Sequence, residues 1–193
     1  MTKLISVILC FSLAACGHFD RDKDDDKRRP EKPVDVCSGV ASMEIHSAGE
    51  WQSAEVMPLI KSAFDSQGLG FSYTITPLKT PLKITSNWSV QYNAARAYMR
   101  AHHSDKCAAF VLVYALDNYG PAGLASGTDN PVFIGYQSDF TPLYTARVIA
   151  HELGHYCRLP HAESPTSVLG PNIDRLEKVD YSPIEWEVIR NCF

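Results

Sequence analysis

The sequence lacks an excess of basic residues, because 18 lysines and arginines stand against 22 aspartates and glutamates for a net charge of −4. Binding a phosphate backbone requires concentrated positive charge, so nucleic acid is not an expected partner. The sequence shows no internal repeat, which argues against a solenoid or a propeller. Hydrophobic residues make up 45% and charged residues 21%, ordinary values that exclude a wholly disordered or collagen-like chain.

The N-terminus has the pattern of an export signal. Lys3 precedes an apolar stretch at residues 4–15, which is shorter than the about 20 residues of a membrane-spanning helix. The sequence Leu13-Ala14-Ala15-Cys16 resembles the lipobox of bacterial lipoproteins. That resemblance implies a signal peptide at residues 1–15, acylation of Cys16 and a lipid anchor in the bacterial cell envelope, with the outer membrane favoured. The alternative is a plainly secreted protein cleaved nearby.

Residues 16–36 are dense in charges of both signs and contain two prolines. Such a segment buries too little apolar surface to offset the entropy of ordering, so we expect a lipidated cysteine followed by a solvated, disordered tether. A latency segment that folds back over an active site is the alternative. Residues 37–193 then form one folded domain of ordinary size.

Six cysteines are present. If the N-terminus is an export signal, Cys16 carries the lipid and another cysteine is lost with the cleaved signal peptide. The four that remain suggest two disulfides, for which three pairings are possible. One pairing is favoured because its first bond would tie the ends of the domain together: Cys37 with Cys192 and, by elimination, Cys107 with Cys157.

The domain alternates strand-like and helix-like segments, which predicts an α+β fold built on a twisted mixed sheet of four or five strands. Predicted strands lie at residues 40–47, 71–76, 82–85, 107–116 and 131–136, the fourth buried on both faces and the last at a sheet edge. Residues 118–130 are rich in glycine and proline and predict a loop. Predicted helices lie at residues 50–67, 90–102, 141–157 and from residue 182 to the C-terminus.

The candidate catalytic and metal-binding residues lie in the segment His151-Glu152-Leu153-Gly154-His155-Tyr156-Cys157-Arg158-Leu159-Pro160-His161. In a helix, residues four apart differ by about 40° around the axis and ~6 Å along it. His151 and His155 can therefore ligate one zinc ion, while Glu152 is rotated away from the ligands and can act as a general base toward a bound water.

A chain turn after residue 157 would bring His161 to the same ion as a third ligand. Three histidines and one exchangeable position are typical of catalytic zinc. The sequence therefore predicts one catalytic Zn²⁺ ion. The alternative is that the three histidines are unrelated and lie in the core or at the surface.

The eleven-residue motif resembles that of the metzincin zinc endopeptidases, and the compact domain around it is similar to the catalytic domain of matrixin-like members. The resemblance implies that His151, His155 and His161 bind zinc and that Glu152 is the general base. It also implies that the strand at residues 131–136 lines the cleft and that a protein or peptide substrate adds to it as a further strand.

The sequence departs from the metzincin pattern twice. Arg158 replaces the glycine that turns the chain with positive φ, and Leu169 stands where the family places a methionine beneath the metal. A residue with a Cβ at position 158 costs on the order of 1 kcal/mol or forces another turn geometry before His161, whereas leucine preserves the volume of the missing methionine.

Three functions follow. The first is a lipid-anchored zinc endopeptidase that acts on extracytoplasmic proteins. The second is a catalytically silent metzincin-like lipoprotein that binds peptide or zinc. The third is an interaction lipoprotein in which the motif is incidental.

Overall fold

In the part of the chain that the structure describes, five strands form one mixed sheet. The computed structural model describes residues 39–78, 88–105, 107–115, 122–170 and 173–193, apart from the side chains of residues 88–91, 115 and 175. The sheet has the order β2-β1-β3-β5-β4, with β4 antiparallel to β5 and the other neighbours parallel. The strands are β1 (Val40–Ser47), β2 (Gly70–Pro77), β3 (Ala108–Ala115), β4 (Gly123–Leu124) and β5 (Val132–Tyr136).

Helices cover both faces of this sheet. They are α1 (Ser53–Ser66), α2 (Trp88–His102), α3 (Pro142–Tyr156) and α4 (Pro183–Cys192), with a short 3-10 turn at Ile173–Arg175. Alternate residues of β3 enter two cores, because Val111 and Val113 pack with α1 and α3, whereas Phe110 and Leu112 pack with α2. The predicted α+β fold is confirmed, and so is the doubly buried strand, which spans residues 108–115 of the predicted 107–116.

Hydroxyl residues fix the starts of the last two long helices, as their sequences predict. The Thr141 hydroxyl accepts a hydrogen bond from the backbone N–H of Tyr144 at 3.2 Å. Ser182 forms a reciprocal capping box, since its hydroxyl accepts from the Glu185 N–H and the Glu185 carboxylate accepts from the Ser182 N–H at 2.6 Å. Thr141 thereby fixes the start of the helix that carries His151 at Pro142, nine residues before that histidine.

The prediction that residues 131–136 form the edge strand is wrong. β5 lies inside the sheet, because β4 pairs with it through Gly123 opposite Ile134 and Leu124 opposite Phe133. In the described part of the chain, the edge of the sheet beyond β5 is therefore β4, which lies within a segment whose glycines and prolines predicted only a loop. A strand of two residues is too short to show a period of two in the sequence.

The favoured disulfide pairing is also wrong. Cys157, at the end of α3, is bonded to Cys192, at the end of α4, with their Cα atoms 5.6 Å apart. Cys107 is disulfide-bonded as well. Sequence order suggested that the outermost cysteines join, but the packing of helix ends decides which sulfurs meet, and the rings of Tyr156 and Phe193 stack beside this bond.

A buried polar cluster lies on the α2 side of the sheet. The His46 ring contacts the Glu44 carboxylate and the Tyr98 hydroxyl, each at 3.1 Å, and the Ser104 backbone N–H donates to Glu44 at 2.9 Å. Burial by itself would raise the pKa of Glu44, but these hydrogen bonds outweigh it and lower the pKa. His46 is thus a structural residue.

Several expectations fall on parts that the structure does not describe. The signal peptide, the acylated Cys16, the tether and Cys37 precede the described residues, and the strand expected at residues 82–85 falls in the gap after residue 78. None of the described helices combines the length and the apolar character needed to cross a membrane.

Candidate metal centre

Helix α3 presents the first two histidines of the motif on one side. His151 is 7% exposed, and its Nε2 atom lies 3.0 Å from the Nε2 atom of His155. The opposite side of the helix carries Ile149 and Leu153 into the core, where both are fully buried. The helical spacing of apolar residues therefore fixes the rotation of α3 and with it the direction of both imidazoles.

The turn after α3 brings the third histidine to the first two. The Leu159 N–H donates to the Gly154 carbonyl and the Arg158 N–H to the His155 carbonyl, which is the Schellman pattern of helix termination. Arg158 takes the left-handed position at φ 65°. His161 consequently lies with its Nε2 atom 3.2 Å from that of His155.

Arg158 therefore does not force a different turn. It keeps the positive φ that glycine supplies elsewhere, at a cost on the order of 1 kcal/mol for a residue with a Cβ. The three histidines meet despite the substitution, with ligand atoms all within 4.8 Å of one another.

Backbone carbonyls fix the tautomer of two of these imidazoles. His151 Nδ1 lies 2.7 Å from the Val168 carbonyl oxygen and His155 Nδ1 lies 2.8 Å from that of Leu159. A carbonyl only accepts, so each Nδ1 carries the hydrogen and each Nε2 presents a lone pair. Two lone pairs that face each other at 3.0 Å need a shared proton or a cation between them.

A zinc ion fits this set of atoms. Zn–N bonds of ~2.0–2.1 Å in a tetrahedron separate the nitrogens by about 3.3 Å, close to the observed 3.0 and 3.2 Å. Burial lowers the pKa of His151 to about 4, and it also lowers the pKa of His155. Both rings are therefore neutral ligands at ordinary pH. The cluster thus supports the predicted zinc cofactor.

Glu152 lies between α3 and the edge strand. It is 2% exposed and accepts a hydrogen bond from the backbone N–H of Ala125. Burial raises the pKa of its carboxyl to about 8, and a nearby cation would lower that pKa again. A Cβ atom on Gly123 would lie 2.6 Å from Glu152 Cδ. The close approach of β4 to Glu152 thus requires glycine at this position.

Leu169 lies directly beneath the first turn of the motif. It is 1% exposed, and a Cβ on Gly154 would lie 2.8 Å from its Cδ2 atom. The residue before it, Val168, supplies the backbone carbonyl that orients His151. Leu169 therefore packs against Gly154 of the motif, and its equivalence to the family's methionine stays a prediction.

Sequence reasoning missed the groups that orient the predicted residues. They are the carbonyls of Leu159 and Val168, the N–H of Ala125, the side chain of Ser167 and the glycine at 123. The Ser167 hydroxyl donates to Glu185 at 2.6 Å and accepts from the Leu169 N–H at 3.0 Å. Backbone groups carry no signal in the sequence, but Gly123, within the predicted loop at residues 118–130, could have indicated a close approach.

Comparison with known proteins gives matches in structure alone. No family model matches the sequence, and no curated protein matches it. An archaemetzincin from Methanopyrus kandleri superposes with a TM-score of 0.62 at 14% identity, and the alignment covers 80% of this chain and 96% of that one. The chain shares its fold.

Two further structures agree with this result. The zinc-dependent peptidase from Methanocorpusculum labreanum gives a TM-score of 0.54 at 14% identity, with 76% of this chain and 99% of that chain covered. Metalloproteinase-II from Bacteroides fragilis gives 0.57 at 14% identity, with 83% of this chain but 55% of that chain covered. At these identities the archaemetzincin-like likeness concerns the fold.

Proposed function

We propose that this chain is a zinc-dependent endopeptidase. The observation that carries the proposal is the convergence of three imidazole nitrogens beside a buried carboxylate, with His151, His155 and His161 as ligands and Glu152 as the general base. Relatives in fold that are named as a zinc-dependent peptidase and a metalloproteinase support the same reaction. A site without catalysis has no need of a carboxylate held in this position.

The reaction divides between the metal and the protein. Zinc held by the three histidines would acidify a coordinated water and polarise the peptide carbonyl. Glu152 accepts the proton of the attacking water and returns it to the leaving amine. The Ala125 N–H keeps one carboxylate oxygen in place, and the Val168 and Leu159 carbonyls keep the ligand rings oriented.

The substrate would bind in an extended conformation along the edge of the sheet. Among the strands that the structure describes, β4 pairs with β5 alone, and its Gly123 lies against Glu152. A peptide that adds to this edge receives backbone hydrogen bonds and passes the reacting groups without requiring a free terminus. That arrangement favours an endopeptidase with protein or peptide substrates.

We further propose that the enzyme acts outside the cytoplasm, attached to the bacterial cell envelope, with the outer membrane favoured, through a lipid on Cys16. The support is the signal-like sequence at residues 1–15 and the cysteine that follows it. The disulfide between Cys157 and Cys192 is consistent with an oxidising compartment. The substrates would then be extracytoplasmic proteins.

Metal analysis and turnover of a casein-type substrate test the enzymatic proposal. We expect one zinc per chain and cleavage that a chelator abolishes. Glu152→Gln should keep the zinc and lose about 10²- to 10⁴-fold in kcat, the usual contribution of a general base. Glu187→Gln, an exposed residue of α4, is the matched control.

Stoichiometric zinc without turnover would contradict this proposal and favour the silent metzincin-like lipoprotein. Absence of bound zinc would contradict both and favour a lipoprotein in which the motif is incidental.

A further inference from the structure

An open cleft of about 450 Å³ adjoins the metal cluster. One wall is the segment of residues 125–130 that follows β4, and the other is the end of α3 with His155, Arg158 and Leu159. Because His155 is a metal ligand in the proposed enzyme, a peptide that crosses the reacting groups along β4 continues into this cleft. Its lining is therefore in a position to select substrates.

Arg158 contributes the positive charge of the cleft. It is exposed, and its backbone takes the left-handed conformation at φ 65°. A residue kept in such a costly conformation at a site is a pointer to function. Glycine would serve the turn better, so the arginine side chain itself requires an explanation.

The Arg158 side chain is directed along the opposite wall. A Cβ atom on Gly127 would lie 3.5 Å from Arg158 Nε and 3.7 Å from its Cγ. The Gly127 N–H donates to the His155 carbonyl at 3.2 Å, which joins this wall to the end of α3. The guanidinium therefore lies across the cleft that begins at the metal ligand.

Arg158 makes no ion pair with any carboxylate of the residues that the structure describes. Asp129 lines the same cleft but does not pair with it. A guanidinium with its donors available binds carboxylates through charge-assisted and often bidentate hydrogen bonds. A zinc ion at the neighbouring cluster would add positive charge and favour an acidic group further.

We propose that Arg158 selects peptides that carry an acidic side chain on the N-terminal side of the scissile bond, an inference that rests on the proposed endopeptidase function. Gly123 of β4 lies beside Glu152, and Gly127, which is further along the chain, lies beside Arg158. A peptide that pairs antiparallel to β4 runs the other way. Its residues before the scissile bond therefore reach Arg158.

Matched quenched-fluorescence peptides test the inference with the zinc-loaded full-length chain. Each pair differs by Glu or Gln at one of the three positions before the scissile bond, and the Glu/Gln ratio of kcat/KM is the readout. We expect the wild type to favour Glu by about 10-fold, as a charge-assisted hydrogen bond gives. Arg158→Gln should abolish the preference, Arg158→Lys should keep part of it, and Arg100→Gln removes the same charge from α2 as a control.

A Glu/Gln ratio in Arg158→Gln that stays within threefold of the ratio in Arg100→Gln would overturn the inference. Fluorescence anisotropy of the same peptides gives a second readout that needs no cleavage. If the wild type cleaves none of the peptides, the endopeptidase proposal fails. The Glu/Gln ratio of Kd and its loss in Arg158→Gln then still decide for or against the role of Arg158.

Discussion

The contact between Gly123 and Glu152 gives a sharp test of the site. Replacement of Gly123 by alanine would place a methyl group 2.6 Å from Glu152 Cδ, about 1 Å inside ordinary carbon contact distance. β4 cannot easily move away, because its pairing with β5 and the hydrogen bond from the Gly135 N–H to the Ala122 carbonyl hold it. The side chain of Glu152 must therefore change position.

In the proposed enzyme, such a displacement would take the Glu152 carboxylate away from its hydrogen bond with Ala125 and from the water that it would activate. A shift of about 1 Å in a catalytic group can cost ~10²-fold in rate. We therefore expect Gly123→Ala to lower kcat about 100-fold while the zinc content stays at one per chain, because the three atoms nearest to the added Cβ all belong to Glu152 and none to a histidine ligand. Gly49→Ala is the matched control, since its added Cβ would meet nothing within 4 Å.

Steady-state kinetics with a quenched peptide, metal analysis and thermal denaturation of both variants complete the measurement. A kcat for Gly123→Ala within threefold of wild type would refute the placement of Glu152 against the edge strand. If the variant lost zinc as well as activity, that result would refute the expectation that Glu152 can be displaced without disturbing the metal ligands. Only a folded, zinc-loaded and slow variant agrees with the geometry described above.

Three further outcomes follow from the packing. The substitution Gly154→Ala gains about 1 kcal/mol of helix propensity, but its added methyl group lies 2.8 Å from the Leu169 side chain. Chemical denaturation should therefore show that Gly154→Ala destabilises the otherwise wild-type protein and stabilises the Leu169→Ala variant. Because the pKa of Glu44 is lowered in the fold, its carboxylate stabilises the protein above pH ~4.3 and the stability falls as the pH drops below it. Glu44→Gln should flatten that part of the stability curve. Reduction of the bond between Cys157 and Cys192, which are 35 residues apart, should lower the free energy of unfolding by about 3–4 kcal/mol.

The parts of the site that could be predicted from the sequence depend on local geometry. The positions of His151 and His155 follow from the helical period, and Thr141 starts that helix through a cap that involves only its own first turn. His161 follows because a helix whose C-cap is Cys157 can return the chain within four residues. Each of these steps involves neighbours in sequence, so the residue pattern carries the information.

The parts that could not be predicted depend on contacts between distant segments. The edge strand β4 exists because β5 offers it a partner, and two residues carry no periodic signal of their own. The disulfide joins Cys157 to Cys192 because two helix ends meet in space. The carbonyl of Val168 reaches His151 across 17 residues. None of these contacts leaves a mark in the order of residue types.

Because of these contacts between distant segments, the geometry of the metal cluster depends on the C-terminal part of the domain as well as on the motif. The turn that carries Val168 is held by Ser167, whose hydroxyl donates to Glu185 at the start of α4. Glu185 in turn receives the N–H of Ser182 in its capping box. The orientation of His151 thus depends on a chain of hydrogen bonds that ends in a helix bearing no ligand. Because a ligand whose orienting partner is lost binds metal more weakly, α4 contributes to metal binding as well as to packing.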